Sequence, residues 1–116
     1  MDKKIKIEIK KKKFEIKVCE CGFFGKTSGL MFRSRNTKNL LFGFVKKVRG
    51  IHVALHSWFV FFDFYVLWLD NKNRVVEYRR IKPFSTVILC SKYFRSIVEI
   101  PINETNKKLI RVLDGK

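Results

Sequence analysis

Glutamine is absent from this 116-residue chain, proline and histidine occur twice each, and only 10 acidic residues stand against 26 Lys plus Arg. Each scarcity excludes something. With few Pro and Gly there are no linkers, internal repeats or low-complexity segments beyond one lysine run, so a single domain spanning 1–116 is expected. Three cysteines, and an opening MDKKIKIEIKKKK without an apolar stretch of signal-peptide type, predict free thiols in a reducing compartment and a cytoplasmic protein. No apolar run approaches the roughly 20 residues of a membrane-spanning helix. The acid deficit gives a net charge of +16, which invites a polyanion. Eighteen of the cations are Lys, a surplus equally expected of a merely solvated surface.

The residues that are present build a core. Hydrophobic residues make up 47% of the chain and aromatics 15%, with twelve Phe, too much apolar surface for a disordered chain. Lys4 to Ile9 and Lys13 to Val18 alternate apolar and charged residues, the period of half-buried strands. The apolar phase moves from odd to even across Lys10–Lys13, which predicts a charged turn or bulge there. Gly22 to Met31 reads as a loop, Leu40 to Phe44 and Ile51 to Phe62 as apolar runs suited to a pleated surface.

The segment HSWFVFFDFYVLWLD, residues 56–70, holds eleven apolar residues between Ser57 and Asp70, divided by Asp63. Its aromatic and β-branched content predicts two strands, Trp58–Phe62 and Tyr65–Leu69, with a bend at Asp63. Asp70-Asn71-Lys72-Asn73 then reads as a turn, and Arg74 to Arg80 as the returning strand of a hairpin whose first strand is buried on both faces. Trp58, Phe62, Leu67 and Leu69 are the expected core residues of this region. Thr86–Cys90, Ser96–Ile100 and Leu109–Leu113 read as further strands, and Asn103 as the cap of a short helical turn through Lys108. The predicted fold is mainly β: a small single-domain barrel or sandwich of about eight short strands with one or two helical turns.

Chemistry is sparsely marked. Cys19-x-Cys21 lacks the spacing and the second ligand pair of a structural zinc site, so no metal and no other cofactor is expected. His56 has Ser57 as its neighbour, but adjacent residues of a strand point to opposite faces and cannot serve as nucleophile and base. Asp63 must reach solvent at its bend or pair with a cation, since a buried unpaired carboxylate is costly. Between Cys21 and Phe62 there are seven Lys or Arg and no acid. Of these, Lys26, Arg35, Lys38, Lys46, Lys47 and Arg49 form a candidate basic face, with a second group at Arg74, Arg79, Arg80 and Lys82.

"GLMFR" at 29–33, "LLFGF" at 40–44, "HSWFVFF" at 56–62, "VLWLD" at 66–70, "RVVE" at 74–77, "KPF" at 82–84 and "IVEIP" at 97–101 stand in an order that resembles domain of unknown function 192. The resemblance runs from about 28 to 113. It implies a compact, mostly β domain and no established activity. Its relatives carry Asp where Tyr65 stands, and here the acid lies two residues earlier, at Asp63. The matching polar positions Arg33, His56, Lys82 and Glu99, together with Asp63, form the candidate pocket.

The function expected from these observations is a monomeric binding module for an unknown ligand. Its alternative is single-stranded nucleic-acid binding through the basic face, and a His56-dependent enzyme comes third. Weak, non-specific attraction to nucleic acid follows from the charge in any case.

Overall fold

The computed structural model describes residues 2–20, 39–49, 62–83 and 92–115, with the backbone alone over 42–49. Six strands lie within them: β1 (Asp2–Ile9), β2 (Lys12–Glu20), β3 (Asn39–Arg49), β4 (Phe64–Leu69), β5 (Val75–Ile81) and β6 (Tyr93–Pro101). They form one sheet in the order β1-β2-β3-β6-β4-β5, curled into a half-barrel. β2 and β3 run parallel, and every other neighbouring pair is antiparallel. The expected strands Trp58–Phe62 and Thr86–Cys90 fall outside the described residues, apart from Phe62 itself.

The first hairpin explains the phase change at the lysine run. Lys10 and Lys11 both adopt positive φ, 52° and 66°, so the turn has two residues and pairs Ile9 with Lys12. Odd positions of β1 then face even positions of β2, Ile7 opposite Phe14 and Ile5 opposite Ile16, and all point to one face. In the second hairpin the Asp70 carboxylate accepts hydrogen bonds from the backbone N–H of Lys72 at 2.8 Å and of Arg74 at 2.9 Å, while Asn73 takes φ 60°. An Asx residue that satisfies the turn's own amides sets this reversal.

β4 is paired on both sides, and all six of its residues are buried, as its unbroken apolar run predicts. Tyr65, Leu67 and Leu69 face the hollow of the curl with Ile7, Ile9, Val18, Val98 and Ile100. Phe64, Val66 and Trp68 occupy the opposite face beside Leu40 and Ile97, also buried. Phe62 bends the chain into β4 and is itself buried, with Asp63 following at the surface.

One element differs from expectation. Leu109–Leu113 is not a strand but part of a helix, α1 (Lys107–Leu113), entered through a 3₁₀ turn at Glu104–Asn106. The Asn103 side chain accepts from the Asn106 N–H and starts that turn, and Leu109, Ile110 and Leu113 fall on one helical face. Four apolar residues around Arg111 in a window of five are too few to separate the two periods, and burial against the sheet's hollow decides for the helix. Asn106 and Asn39 fix its position. Their amides bond reciprocally at 2.9 and 3.1 Å, and the two Nδ2 groups also reach the carbonyls of Pro101 and Lys17.

The curl brings the two ends of the sheet together at one point. Glu8 and Arg74 form an isolated parallel bridge, and the Glu8 N–H donates to the Asn73 carbonyl at 3.0 Å. No helix among the described residues is long and apolar enough to cross a membrane.

Candidate functional site

Asp63, Lys82 and Glu99 lie within the described residues; Arg33 and His56 do not. Asp63 sits at the rim of the hollow, where its Oδ2 accepts from Arg80 Nε at 3.2 Å. Lys82 is exposed just after β5. Glu99, 5% exposed, belongs to β6 opposite Leu40 and Val66, on the face away from the hollow. Asp63 and Glu99 are therefore on opposite sides of the sheet. Of the expected basic face, Lys26, Arg35 and Lys38 fall outside the described residues, and for Lys46, Lys47 and Arg49 only the backbone of β3 is described.

Two polar groupings emerge instead. The first is the rim cluster. Tyr65 and Arg80 are register partners on β4 and β5, and the Tyr65 hydroxyl donates to Asp114 Oδ1 at the end of α1. Arg80 Nη1 lies 4.0 Å from that same oxygen while Nε holds Asp63. Burial and the neighbouring Asp114 carboxylate push the Tyr65 hydroxyl up to about 12, because its ionisation would place a second negative charge beside the first. Lys10 adds another tie, its Nζ donating to the Val112 carbonyl at 3.0 Å and lying 5.7 Å from the Tyr78 ring centre. These contacts fasten α1 over the hollow.

The second grouping lies at the seam where β1 meets the β4–β5 turn. A cleft of about 370 Å³ is lined by Lys6, Ile7, Glu8, Lys13, Lys72 and Arg74, four cations against one acid. Strand alternation places Lys6, Glu8 and Lys13 on the outer face, since Ile7 and Ile9 point inward. Arg74 arrives from across the seam with Nε bonded to Asp70 Oδ2 at 2.9 Å. Burial opposes the charge on Asp70, but hydrogen bonds from the Arg74 and Lys72 amides outweigh it and hold the carboxyl below its ordinary value. The Asp70 carboxylate thus stays ionised and orients the Arg74 side chain.

The cleft's lysines are unspent. Lys6, Lys13 and Lys72 make no ion pair and no side-chain hydrogen bond among the described residues, although Lys6 stands opposite Glu15 and Lys13 opposite Glu8 in the β1–β2 register. Glu15 is 3.9 Å from Lys4 instead. A second cleft, about 320 Å³, follows on the other side of the bridge, lined by Ile9, Lys10, Val75, Val76, Glu77 and Tyr78.

The sequence marks Arg74 as one of a basic group but does not single out Lys6, Lys13 and Lys72. The alternation of β1 and β2 shows that Lys6 and Lys13 share the outer face. Nothing in the sequence shows that residues 72–74 come to lie against β1, because that contact follows from the curl of the whole sheet.

Among the described residues no group of three His, Cys, Asp or Glu comes together that could hold a metal ion. Cys19 is in no disulfide. Comparison with known proteins shows the fold. No family model matches the chain, and no curated protein matches it. Among solved structures, a protein from Sinorhizobium meliloti 1021 described as a "putative transcription regulator" superposes with a TM-score of 0.76 at 16% identity, covering 94% of this chain and 86% of that one. A protein of unknown function from Novosphingobium aromaticivorans DSM 12444 gives 0.72 at 12% identity, covering 91% and 76%.

Proposed function

We propose that this chain is a binding module whose partner is anionic, engaged through the outer face of the β1–β2 hairpin and the adjoining β4–β5 turn. One observation carries the reading: exposed cations on this face, among them Lys6, Lys13 and Lys72, have no acidic partner among the described residues. Unneutralised cations on a protein of net charge +16 repel one another, and an anion that displaces their counterions relieves that repulsion. The chain is read, further, as a diverged member of domain of unknown function 192. The order of its motifs supports this, and the half-barrel agrees with the compact, mostly β domain that the resemblance implies.

A second reading, single-stranded nucleic acid, is favoured by one specific feature. Tyr93, at the start of β6, is 58% exposed, a large aromatic side chain at the surface of the kind on which bases stack. One structural neighbour, 16% identical, is described as a "putative transcription regulator".

Titration of labelled single-stranded DNA and of inorganic polyphosphate at about 0.05 and 0.2 M salt separates the two. The first reading expects both polyanions to bind at low salt and to be nearly lost at high salt, without sequence preference. Salt-resistant binding of the DNA alone, abolished by Tyr93→Ala, would establish the second. Absence of binding to either at low salt would refute both.

A further inference from the structure

Within the basic face one place differs from the rest, because its cations come from two parts of the sheet that touch at a single bridge. Lys6 and Lys13 project from the hairpin, whereas Lys72 and Arg74 project from the opposite end of the sheet. From this we infer that the seam cleft binds a compact phosphate group, a phosphomonoester or pyrophosphate, and that its occupant clamps the half-barrel shut. The inference rests on the anionic-partner reading above and names the site and chemistry of that partner.

Three features fit phosphate in particular. The volume, about 370 Å³, accommodates a diphosphate with its water but is small for a folded partner's surface. Arg74 is held by its Nε on Asp70, which leaves its terminal nitrogens uncommitted among the described residues for bidentate contact with a tetrahedral anion. The lysines supply point charges on the other side, the usual division of labour around a phosphate. Glu8, between them, disfavours a ligand that fills the cleft with negative charge throughout. It suits one whose phosphate sits toward Lys72 and Arg74 and whose neutral or hydroxyl-bearing end lies over Glu8.

Clamping follows from the geometry. The seam's main-chain link is the Glu8–Arg74 bridge, with the Glu8 N–H on the Asn73 carbonyl. A ligand bound to cations on both sides is lost whenever that bridge opens, so binding must oppose opening. The exchange rate of the Glu8 amide therefore reports occupancy directly.

The test uses the full chain and pyrophosphate, followed by calorimetry and by hydrogen exchange at Glu8. Lys13→Gln and Lys72→Gln, exposed positions on opposite sides of the seam, should each weaken binding about tenfold, as expected for loss of one charge-assisted contact. Lys4→Gln and Lys17→Gln, on the same outer face but outside the cleft, should change it less than about twofold. Pyrophosphate should also slow exchange of the Glu8 amide, and Lys72→Gln should remove that protection.

Equal losses at all four lysines, or a Glu8 exchange rate unmoved by saturating ligand, would overturn the cleft while leaving the anionic-partner reading intact. No binding of polyphosphate or pyrophosphate at low salt would overturn both. Oligonucleotides with and without a 5′-phosphate identify the source. Cleft-dependent binding that requires the 5′-phosphate assigns a nucleic-acid end, and cleft-dependent binding of pyrophosphate without oligonucleotide binding assigns a small phosphorylated molecule.

Discussion

Tyr65 shows how one side chain can be read correctly by pattern and still hold unexpected chemistry. Its place in an apolar run predicts burial, and it is 4% exposed. Its hydroxyl nevertheless finds Asp114, some fifty residues later, and burial together with that carboxylate keeps it protonated. The sign of the effect on stability is definite. A folded-state value near 12 against an ordinary 10 means that the contribution is complete below pH 10 and lost as pH rises from 10 to 12. Denaturant midpoints of the native chain should therefore fall more steeply over that window than those of Tyr65→Phe, and tyrosinate absorbance should show one of the three tyrosines titrating late. Parallel curves for the two proteins would disprove the assignment. The Asn39–Asn106 pair makes a complementary case. Both amides are almost fully buried, so Asn106→Ala removes two of the hydrogen bonds of Asn39, leaving its Oδ1 without the Asn106 donor while Nδ2 keeps the Lys17 carbonyl, and should cost about 1–3 kcal/mol, read from the shift in denaturation midpoint. A change below about 0.5 kcal/mol would mean that water replaces the lost partner without penalty.

At the scale of elements, what the sequence makes legible is what local pattern controls. Period-two alternation locates β1 and β2, and the doubly apolar run locates β4 as a strand paired on both sides. Asp70 and Asn73 mark a turn by their own hydrogen-bonding and φ preferences. The helix α1 was hidden because its apolar residues, Leu109, Ile110 and Leu113, only acquire meaning against the hollow they fill. The parallel pairing of β2 with β3 was hidden for the same reason, being a property of how strands meet and not of either strand alone. Two substitutions test the element assignments. Leu67→Ala, at 0% exposure on the inner face of β4, should cost about 2–5 kcal/mol through the cavity it leaves. Lys11→Gly, at φ 66° in the first hairpin, should stabilise by about 1 kcal/mol, because glycine adopts that conformation without the strain a side chain brings. Destabilisation at position 11 in urea denaturation would show that the Lys11 side chain contributes more than its backbone strain removes.

At the scale of the molecule, the same half-barrel answers two demands that oppose each other. Curling the sheet buries a core on its concave side under α1, and it also draws Lys6 and Lys13 toward Lys72 and Arg74. Bringing like charges together costs free energy, and the seam where they converge is held by one bridge. The charge is therefore a destabilising feature of the fold, which screening should relieve. Thermal midpoints should rise as sodium chloride increases from about 0.02 to 0.2 M, over which the Debye length falls from roughly 20 Å to under 10 Å. A specific anion should do more than screen. At equal ionic strength pyrophosphate should raise the midpoint beyond chloride, and Lys72→Gln should remove the excess while leaving the chloride response nearly unchanged, since it alters one charge among a net +16. Identical midpoints in the two salts would reduce the cleft to general screening. A midpoint that falls with added chloride would remove the premise itself, because it would show that the cations are already stabilised by partners within the fold.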